Sequence, residues 1–220
     1  MPRLPYCFVP AGPWRQPGGL VSQFLRMNHY PINEIFYSLQ GEGFYTGTPS
    51  VFIRFSGCNL SCPFCDTDHR AARRMTAADI LDAIAPYPAR HVVLTGGEPS
   101  LYVDEVLLES LHAAGKYIAM ETNGTRPLPS GIDWVTLSPK DHLVPDAHAI
   151  LPQCDELKVV FRDAATMPSY GHILAGHRFL QPCDTGDASA SRIVREAIAY
   201  CLAHPEWRLS LQTHKLLNIR

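Results

Sequence analysis

Residues 58–65 read CNLSCPFC, a short stretch that holds three of the seven cysteines in this chain of 220 residues. It follows residues 51–56, VFIRFS, whose apolar run predicts a buried strand. Further short apolar runs follow along the chain, separated by helical patterns or by segments with Pro and Gly. Strands that alternate with crossovers in this way indicate a parallel sheet of the α/β class.

The sequence predicts six such strands and three helices. The strands are expected at residues 51–56, 91–95, 117–121, 134–138, 157–161 and 178–181. The helices are expected at residues 77–85, 104–114 and 191–203. Because the crossovers at residues 122–133 and 139–156 carry Pro and Gly and are typical of loops, eight complete βα units do not fit. We therefore expect an open partial (βα)6-type barrel with reduced helix content.

The first 26 residues differ from the rest of the chain. They hold five prolines and a Gly18-Gly19 pair without sustained periodicity, so irregular structure is expected there. Met27 follows directly and is a candidate alternative start. We interpret residues 1–26 as an irregular Pro/Gly-rich appendage or a misassigned start, with an ordered arm as the alternative. Residues 27–220 are expected to form a single domain.

Composition and charge exclude several classes of protein. The formal net charge of −2 argues against a protein that holds nucleic acid mainly through its phosphates, so no direct nucleic-acid partner is expected. No apolar run approaches the roughly 18 residues that a membrane span needs, and no membrane association is expected. The N-terminus lacks the order of a secretory signal. An odd and uneven set of cysteines fits a reducing cytoplasm better than a secreted disulfide framework.

The spacing of Cys58, Cys62 and Cys65 allows their thiolates to converge on a metal or a small inorganic cluster. A closed structural zinc site normally has four ligands, and His69 is the only candidate close in sequence for the fourth. In a cluster of four irons, three thiolates leave one iron without a protein ligand, and that iron can chelate a small molecule. Spacing alone favours iron–sulfur only modestly, so both kinds of site stay open.

Glycine and polar residues follow four of the predicted strands where each strand ends. The motifs are TGGEP at residues 95–99, ETNG at 121–124, SPK at 138–140 and QPCD at 181–184. In full and partial barrels the carboxyl ends of parallel strands build the active site. Glycines allow the backbone to approach a ligand because no Cβ stands in the way. A solvated loop is the alternative for any single motif.

A further polar group surrounds the first buried strand. The segment SLQGEG at residues 38–43 includes Gln40, whose amide both donates and accepts, and Glu42, which accepts when ionised. Arg54, on the predicted strand, has a planar guanidinium that matches a carboxylate. Together these side chains predict a site for a heterocycle that bears a carboxylate, unless Arg54 points outward as a solvated strand residue.

The order of these motifs resembles a known family. A C-x3-C-x2-C loop after the first strand, with Phe64 before the last cysteine, is similar to the radical S-adenosylmethionine (SAM) superfamily. The longer order SLQGEG, FIRFSGCNLSCPFCDT, TGGEP, ETNG, SPK, QP and a final HK resembles 7-carboxy-7-deazaguanine synthases from residue 32 to residue 220. The resemblance implies a radical SAM core for residues 27–220.

The resemblance also implies an activity, that of a carbon–nitrogen lyase. In that family a [4Fe-4S] cluster, here on Cys58, Cys62 and Cys65, binds the amino and carboxylate groups of SAM at its free iron. An electron from the cluster cleaves SAM to methionine and a 5'-deoxyadenosyl radical, which takes hydrogen from C6 of the substrate. The family converts 6-carboxy-5,6,7,8-tetrahydropterin to 7-carboxy-7-deazaguanine with loss of ammonia, on the route to queuosine and other 7-deazapurines. SAM is regenerated.

Binding roles for individual residues follow from the same resemblance. Those implied to line SAM are Phe64, Cys65, Asp66, Gly97, Glu98, Glu121, Ser138, Pro139, Lys140, Gln181, Pro182, Cys183 and Asp184. Those implied to hold the substrate are Leu39, Gln40, Gly41, Glu42, Arg54, Thr95, His214, Lys215 and Arg220. Thr67 would contact Mg2+, a hard cation that suits a hydroxyl and a substrate carboxylate. The family further implies a homodimer, a reductase such as flavodoxin, and no catalytic acid or base among the side chains.

Two features depart from the family pattern. Cys183 stands where a variable residue is expected, and residues 216–220 are only loosely similar to the family tail. Two other interpretations stay open. One is an activating enzyme that places a glycyl radical on a partner protein, although the QGEG segment and Arg54 are not expected in such an enzyme. The other is a zinc-binding adaptor for RNA or protein, for which the near-neutral charge provides no basic stripe.

Overall fold

The computed structural model describes residues 28–65, 67–68 and 72–220. Within them, one sheet is formed by β1 (Tyr30–Leu39), β2 (Pro49–Phe55), β3 (Arg73–Met75), β4 (His91–Gly96), β5 (Tyr117–Thr122), β6 (Trp134–Leu137), β7 (Gln153–Phe161), β8 (Leu174–Pro182) and β9 (Arg208–Leu209). Their spatial order is β3-β1-β2-β4-β5-β6-β7-β8-β9. Residues 1–26, the expected appendage, lie outside the described residues.

Six central strands, β2 and β4 to β8, run parallel and coincide with the six strands predicted from sequence. β1 pairs antiparallel with β2, β3 pairs antiparallel with β1, and β9 pairs parallel with β8. In the described part of the chain, β3 and β9 stand at opposite ends of this order and do not pair. The sheet is therefore open, and the predicted partial barrel is confirmed.

The described residues contain the helices α1 (Ala77–Ile84), α2 (Glu105–Ala113), α3 (Ser189–Ala203) and α4 (Thr213–Leu217). The first three match the predicted helices. Thr76 and Asp79 form a capping box at the start of α1, because the side chain of each accepts from the backbone N–H of the other. Asp104 caps α2 by accepting from Leu107 N at 3.0 Å. The connections between β5, β6 and β7, which are fully described, contain no helix, as expected.

The two faces of the sheet bury different side chains. Ile53, Leu94 and Met120 pack with α1 and α2 on the outer face, and α3 covers the outer face of β7 and β8. On the inner face a separate cluster joins Phe52 and Trp134 to neighbouring strands. Because this inner cluster fills the amino-terminal halves of the strands, the cavities of the barrel lie at their carboxyl ends.

Several elements are not predicted by sequence patterns. The register of β1 shifts between Ile32 and Glu34, and the shift breaks the alternation of buried and exposed residues. The strands β3 and β9 and the helix α4 have 3, 2 and 5 residues, too few for a recognisable period. None of the helices in the described ranges has the length and apolar character that crossing a bilayer demands.

Candidate active site

Two adjoining cavities open at the carboxyl ends of the parallel strands. The larger, of about 750 Å³, is bordered by the cysteine loop at residues 58–65 and by the ends of β4 to β8. The smaller, of about 560 Å³, lies between β1, β2 and the C-terminal segment at residues 212–220. The wall between them is formed by residues that line both cavities: Glu42, Thr95, Gly96, Glu121 and Gln212.

The cysteine loop presents its thiols to the larger cavity. Cys58, Cys62 and Cys65 are free cysteines, and all three line this cavity. The loop is tied to the ETNG turn by Asn123 Nδ2, which donates to Asn59 Oδ1 at 3.0 Å. Burial raises the pKa of Cys58 and Cys62. The loop thus offers three sulfur ligands to one cavity from an anchored backbone.

The TGGEP strand end lies directly against the start of the cysteine loop. The Gly97 N–H donates to Phe55 O at 2.9 Å, and the Glu98 N–H donates to Gly57 O at 2.9 Å. A Cβ on Gly97 would stand 2.0 Å from Gly57 O, so only glycine allows this approach. The sequence predicts that glycine lets the backbone approach a ligand here. In the structure, Gly97 lets two backbone segments of the chain approach each other, and it also lines the larger cavity.

Glu98, which the resemblance assigns to SAM, uses its carboxylate within the protein. It is 1% exposed. It accepts hydrogen bonds from Thr122 Oγ1 at 2.7 Å, from Asn123 N at 2.8 Å and from Ser100 N at 3.0 Å. The carboxylate therefore braces the ends of β4 and β5 against each other and fixes this edge of the larger cavity.

A charge centre, formed by Glu42, Glu121 and Lys158, lies at the wall between the cavities. Lys158, on β7, is 6% exposed. Its Nζ donates to Glu42 Oε2 at 2.6 Å and to Glu121 Oε1 at 3.4 Å. Glu121 also accepts from Gln40 Nε2 at 3.2 Å and from Thr95 Oγ1 at 3.1 Å. The charge centre thus joins the SLQGEG segment to β4, β5 and β7.

Within the charge centre, Lys158 and Glu42 hold each other in their charged forms. Burial alone would favour neutral Lys158, but Glu121, Glu42 and Glu156 together raise its pKa. Burial likewise opposes ionisation of Glu42, yet Lys158 and then Gln212 lower its pKa. Glu156, 2% exposed, has a pKa raised by burial. A single ammonium therefore serves a site with several carboxyl groups.

Two guanidinium groups face the smaller cavity on either side of Glu34. Arg54 Nε donates to Glu34 Oε1 at 2.9 Å, and Arg220 Nη2 donates to Glu34 Oε2 at 2.6 Å. The central carbons of both guanidinium groups lie over the Phe36 ring, 5.9 and 5.2 Å from its centroid. Thr67 Oγ1 stands 3.4 Å from Arg54 Nη1. Two guanidinium groups thus flank one carboxylate at this end of the cavity, which Asp68 also lines.

The C-terminal segment closes one side of the smaller cavity. Gln212 Nε2 donates to Glu42 Oε1 at 2.9 Å. Thr213 donates to Gly41 O from both its N–H and its hydroxyl, each at 2.9 Å. His214 lines the cavity, and a Cβ on Gly41 would stand 2.2 Å from His214 Nδ1. The segment therefore packs on the SLQGEG turn so closely that residue 41 must lack a side chain.

The strand ends of β6 and β8 supply polar groups to the larger cavity. Gln181 is 6% exposed, and neither atom of its side-chain amide has a hydrogen-bond partner in the described residues. An unpaired buried amide is costly, so this one indicates a ligand that completes it. Lys140 Nζ donates to Ser138 O and Oγ at 2.5 and 2.7 Å, and burial lowers the pKa of Lys140 to about 8. Lys215 Nζ donates to Asp184 Oδ2 at 2.9 Å.

Comparisons with known proteins agree with this geometry. The model of the radical SAM superfamily matches residues 52–143. A 7-carboxy-7-deazaguanine synthase of Bacteroides thetaiotaomicron is 53% identical over 189 residues, covering 86% of this chain and 98% of that protein. Another, of Bordetella pertussis, is 45% identical over 213 residues, with coverages of 86% and 99%.

The chain belongs to the 7-carboxy-7-deazaguanine synthase family. A crystal structure of QueE from Escherichia coli shares its fold with a TM-score of 0.67 at 31% identity, covering 83% of this chain and 93% of that one. Membership of this radical SAM family confirms the predicted [4Fe-4S] cluster and SAM as cofactors.

The larger cavity fits these two cofactors. Thiolates are the ligands of iron–sulfur clusters, and in a cubane each thiolate binds a different iron. In the described ranges no three His, Cys, Asp or Glu side chains are placed to hold a single metal ion. The free amide of Gln181 and the strand-end backbone provide polar partners for a nucleotide beside the three cysteines.

Nearly all of the residues implied by the resemblance lie at the two cavities. Those of the SAM set that line the larger cavity are Phe64, Cys65, Gly97, Glu98, Glu121, Ser138, Lys140, Gln181, Pro182, Cys183 and Asp184. Those of the substrate set that line the smaller cavity are Leu39, Gln40, Gly41, Glu42, Arg54, Thr95, His214 and Arg220, together with Thr67. Pro139 is buried, Lys215 lines the larger cavity instead, and Asp66 lies outside the described residues.

Three residues of the site are absent from the sequence-based set: Lys158, Glu34 and Gln212. Residues 155–161 read DELKVVF, and a lysine inside an otherwise apolar strand is a signal that could have identified Lys158. Glu34 lies on β1, a strand that sequence patterns do not predict. The contact of Gln212 with Glu42 depends on the path of the chain after β9, which carries no local signature.

Proposed function

We propose that this chain is a radical SAM lyase that converts 6-carboxy-5,6,7,8-tetrahydropterin to 7-carboxy-7-deazaguanine with loss of ammonia, in queuosine and 7-deazapurine biosynthesis. The observation that carries the proposal is the pair of adjoining cavities. One is lined by three thiols and the other by two guanidinium groups, and they share a polar wall. A reactive species formed in the first cavity is therefore adjacent to an anionic substrate in the second.

The smaller cavity offers complementary groups to both parts of the pterin. Arg54 presents a fork that matches the carboxylate, and Arg220 adds a second guanidinium. Glu42 and Glu121 provide two carboxyl groups at the shared wall, and Gln40 provides an amide beside it. A pterin ring carries N–H donors and a carbonyl along its pyrimidine edge, and these are the partners that such side chains bind. The substrate would thus be held at both ends.

When bound at the cysteine loop, the cluster and SAM supply a 5'-deoxyadenosyl radical that takes hydrogen from C6 of the substrate, and SAM is then regenerated. The chain's own residues bind and orient the two ligands. We assign contacts with SAM to the strand-end residues Ser138, Lys140 and Gln181 because they line the larger cavity beside the cysteines. The C-terminal segment shields the substrate from water by closing the smaller cavity.

We assign the Mg2+ contact to Thr67. Its hydroxyl lines the smaller cavity, 3.4 Å from the guanidinium of Arg54. A substrate carboxylate bound by Arg54 would therefore lie close to this hydroxyl. Both are hard oxygen ligands, and Mg2+ usually binds through few protein groups, with waters and substrate completing its coordination.

Assembly and cellular context are part of the proposal. The edges of the open sheet at β3 and β9 can be covered by a second copy of the chain, which supports a homodimer. A reductase such as flavodoxin would supply the electron, and a reducing cytoplasm suits the free thiols. Residues 27–220 would form the catalytic domain, since relatives align over 86% of this chain but 98–99% of their own length.

Product identification tests the proposal. Anaerobically reconstituted protein is supplied with the tetrahydropterin, SAM, Mg2+ and a reductant, and 7-carboxy-7-deazaguanine is sought by mass spectrometry. We expect product from the natural chain and none from Cys62→Ala, which lacks one cluster ligand. Absence of product from protein with an intact cluster would contradict the proposal. Bound zinc without sulfide would indicate the adaptor instead, and a glycyl radical on a partner protein would indicate the activating enzyme.

A further inference from the structure

We infer that Lys158 is a positioning residue of this enzyme, which holds the carboxyl groups of Glu42 and Glu121 in place as hydrogen-bond acceptors at the wall between the two cavities. The inference rests on the proposed function and adds a residue that the resemblance does not imply. Lys158 reaches the larger cavity, but its established contacts are with the two carboxylates, through which it acts on the substrate.

Lys158 connects parts of the chain that are far apart in sequence. Glu42 lies in the turn after β1, and Glu121 lies at the end of β5. Lys158, on β7, bridges them through one ammonium group, at 2.6 and 3.4 Å. The Glu42 N–H in turn donates to Gln40 Oε1 at 3.2 Å, so the position of the Gln40 amide depends on where Lys158 holds Glu42.

The electrostatics depend on the same ammonium. Glu42, Glu121 and Glu156 all act on Lys158 as nearby carboxyl groups. Three further titratable groups act on members of the charge centre: His214 on Glu42, Lys140 on Lys158 and Glu121, and His91 on Glu121. Without Lys158, adjacent carboxylates would repel one another, and protons would be taken up to relieve the repulsion. Protonation of Glu42 would replace one of its acceptor oxygens with an O–H donor, which is the wrong polarity for an N–H group of a pterin.

A purely structural ion pair is the alternative, and the two roles predict different results. Replacing a buried charged group can leave fold stability little changed when the uncompensated partner is also removed. If the ion pair is only structural, losing Lys158 should not weaken probe binding in a variant whose stability is restored. If Lys158 is a positioning residue, probe binding should stay weaker, because the remaining acceptors are misplaced for the ligand.

The test compares Lys158→Met and the double variant Lys158→Met/Glu42→Gln with Glu42→Gln alone, and Lys116→Met is the matched control. Lys116 donates to Ala89 O, outside both cavities. The probe is pterin-6-carboxylate, which binds without turnover, titrated by its fluorescence into reconstituted protein that holds SAM. Thermal unfolding of each variant is measured in parallel, and KM and kcat are measured with the tetrahydropterin.

We expect Lys158→Met to bind the probe about 10- to 100-fold more weakly, the fold-change that corresponds to losing hydrogen bonds to a charged group. The double variant is expected to regain thermal stability but to bind the probe more weakly than Glu42→Gln alone, because Glu121 has then lost its contact with Lys158. In Lys158→Met, KM is expected to rise more than kcat falls. Lys116→Met should behave as the natural chain. Natural affinity in Lys158→Met, or equal affinity in the double variant and Glu42→Gln once stability is restored, would overturn the inference.

The proposed function and this inference fail in different ways. If the natural chain binds the probe but forms no 7-carboxy-7-deazaguanine, the proposed function is wrong and the binding comparison still judges Lys158. If the natural chain forms the product and Lys158→Met binds the probe normally, only the inference is wrong. The double variant keeps the comparison valid where Lys158→Met alone does not fold, because it removes one of the two carboxyl groups that lose their partner.

Discussion

Replacing Glu98 by Gln tests whether its carboxylate braces the strand ends. Glu98 Oε1 accepts from Thr122 Oγ1 and Ser100 N, and Oε2 accepts from Asn123 N. A glutamine has the same shape but carries an NH2 group in place of one oxygen. Whichever way the amide turns, this NH2 faces a backbone N–H, so two donors meet in a position that is 1% exposed.

The cost can be worked from these contacts. One buried backbone donor loses its acceptor, which costs about 1–3 kcal/mol. The remaining hydrogen bonds lose the assistance of the negative charge, which roughly halves their strength. The free energy of unfolding should therefore fall by about 2–4 kcal/mol. For a chain of this size each kcal/mol lowers Tm by about 2–4 °C, so a decrease of about 4–16 °C is expected.

Thermal unfolding of the cluster-free chain by circular dichroism measures this effect without any cofactor. Glu109→Gln is the matched control, because Glu109 is exposed on α2 and its substitution should leave Tm unchanged. A change of Tm in Glu98→Gln equal to that of the control would refute the bracing role. If Tm stayed at the control value while SAM affinity fell, the result would show that the carboxylate acts on the cofactor directly.

Three further substitutions test other parts of the site. Gly97→Ala places a Cβ 2.0 Å from Gly57 O and should displace the cysteine loop, lowering the iron and sulfide content after reconstitution; full cluster content would show that the approach tolerates a side chain. Thr67→Ala should weaken the dependence of activity on Mg2+ in a titration while cluster assembly stays intact; failed assembly would make Thr67 structural. Arg220→Ala removes one of the two guanidinium groups on Glu34 and should raise KM for the tetrahydropterin about tenfold; an unchanged KM would place the substrate carboxylate elsewhere.

Much of the fold was predictable because the parallel strands of a barrel bury both faces and appear as apolar runs. The same chemistry made the strand ends recognisable, since glycine and polar residues interrupt each run abruptly, as at Gly96 and Glu121. Most of the site was then reached through motifs whose order resembles one family. Arg54 is an example of a residue identified through these motifs. Its strand alone does not show which way the side chain points, and the structure places it at the smaller cavity.

The rest of the site depends on contacts between distant parts of the chain. Lys158 is separated by 116 residues from Glu42, and nothing local shows that they pair. Lys215, expected at the substrate, instead pairs with Asp184. The start of its five-residue helix α4 is anchored by long-range hydrogen bonds of Gln212 and Thr213 to Glu42 and Gly41. The inward turn of the Glu98 carboxylate likewise follows from donors that β5 supplies, which the TGGEP motif does not reveal.

The most direct measurement of the central claim follows a hydrogen atom from one cavity to the other. Tetrahydropterin deuterated at C6 is turned over anaerobically, and the SAM that remains is examined by mass spectrometry. If the substrate lies beside the nucleotide across the shared wall, deuterium should accumulate at the 5' carbon of SAM as product forms. Product that forms while SAM stays free of deuterium would contradict the account.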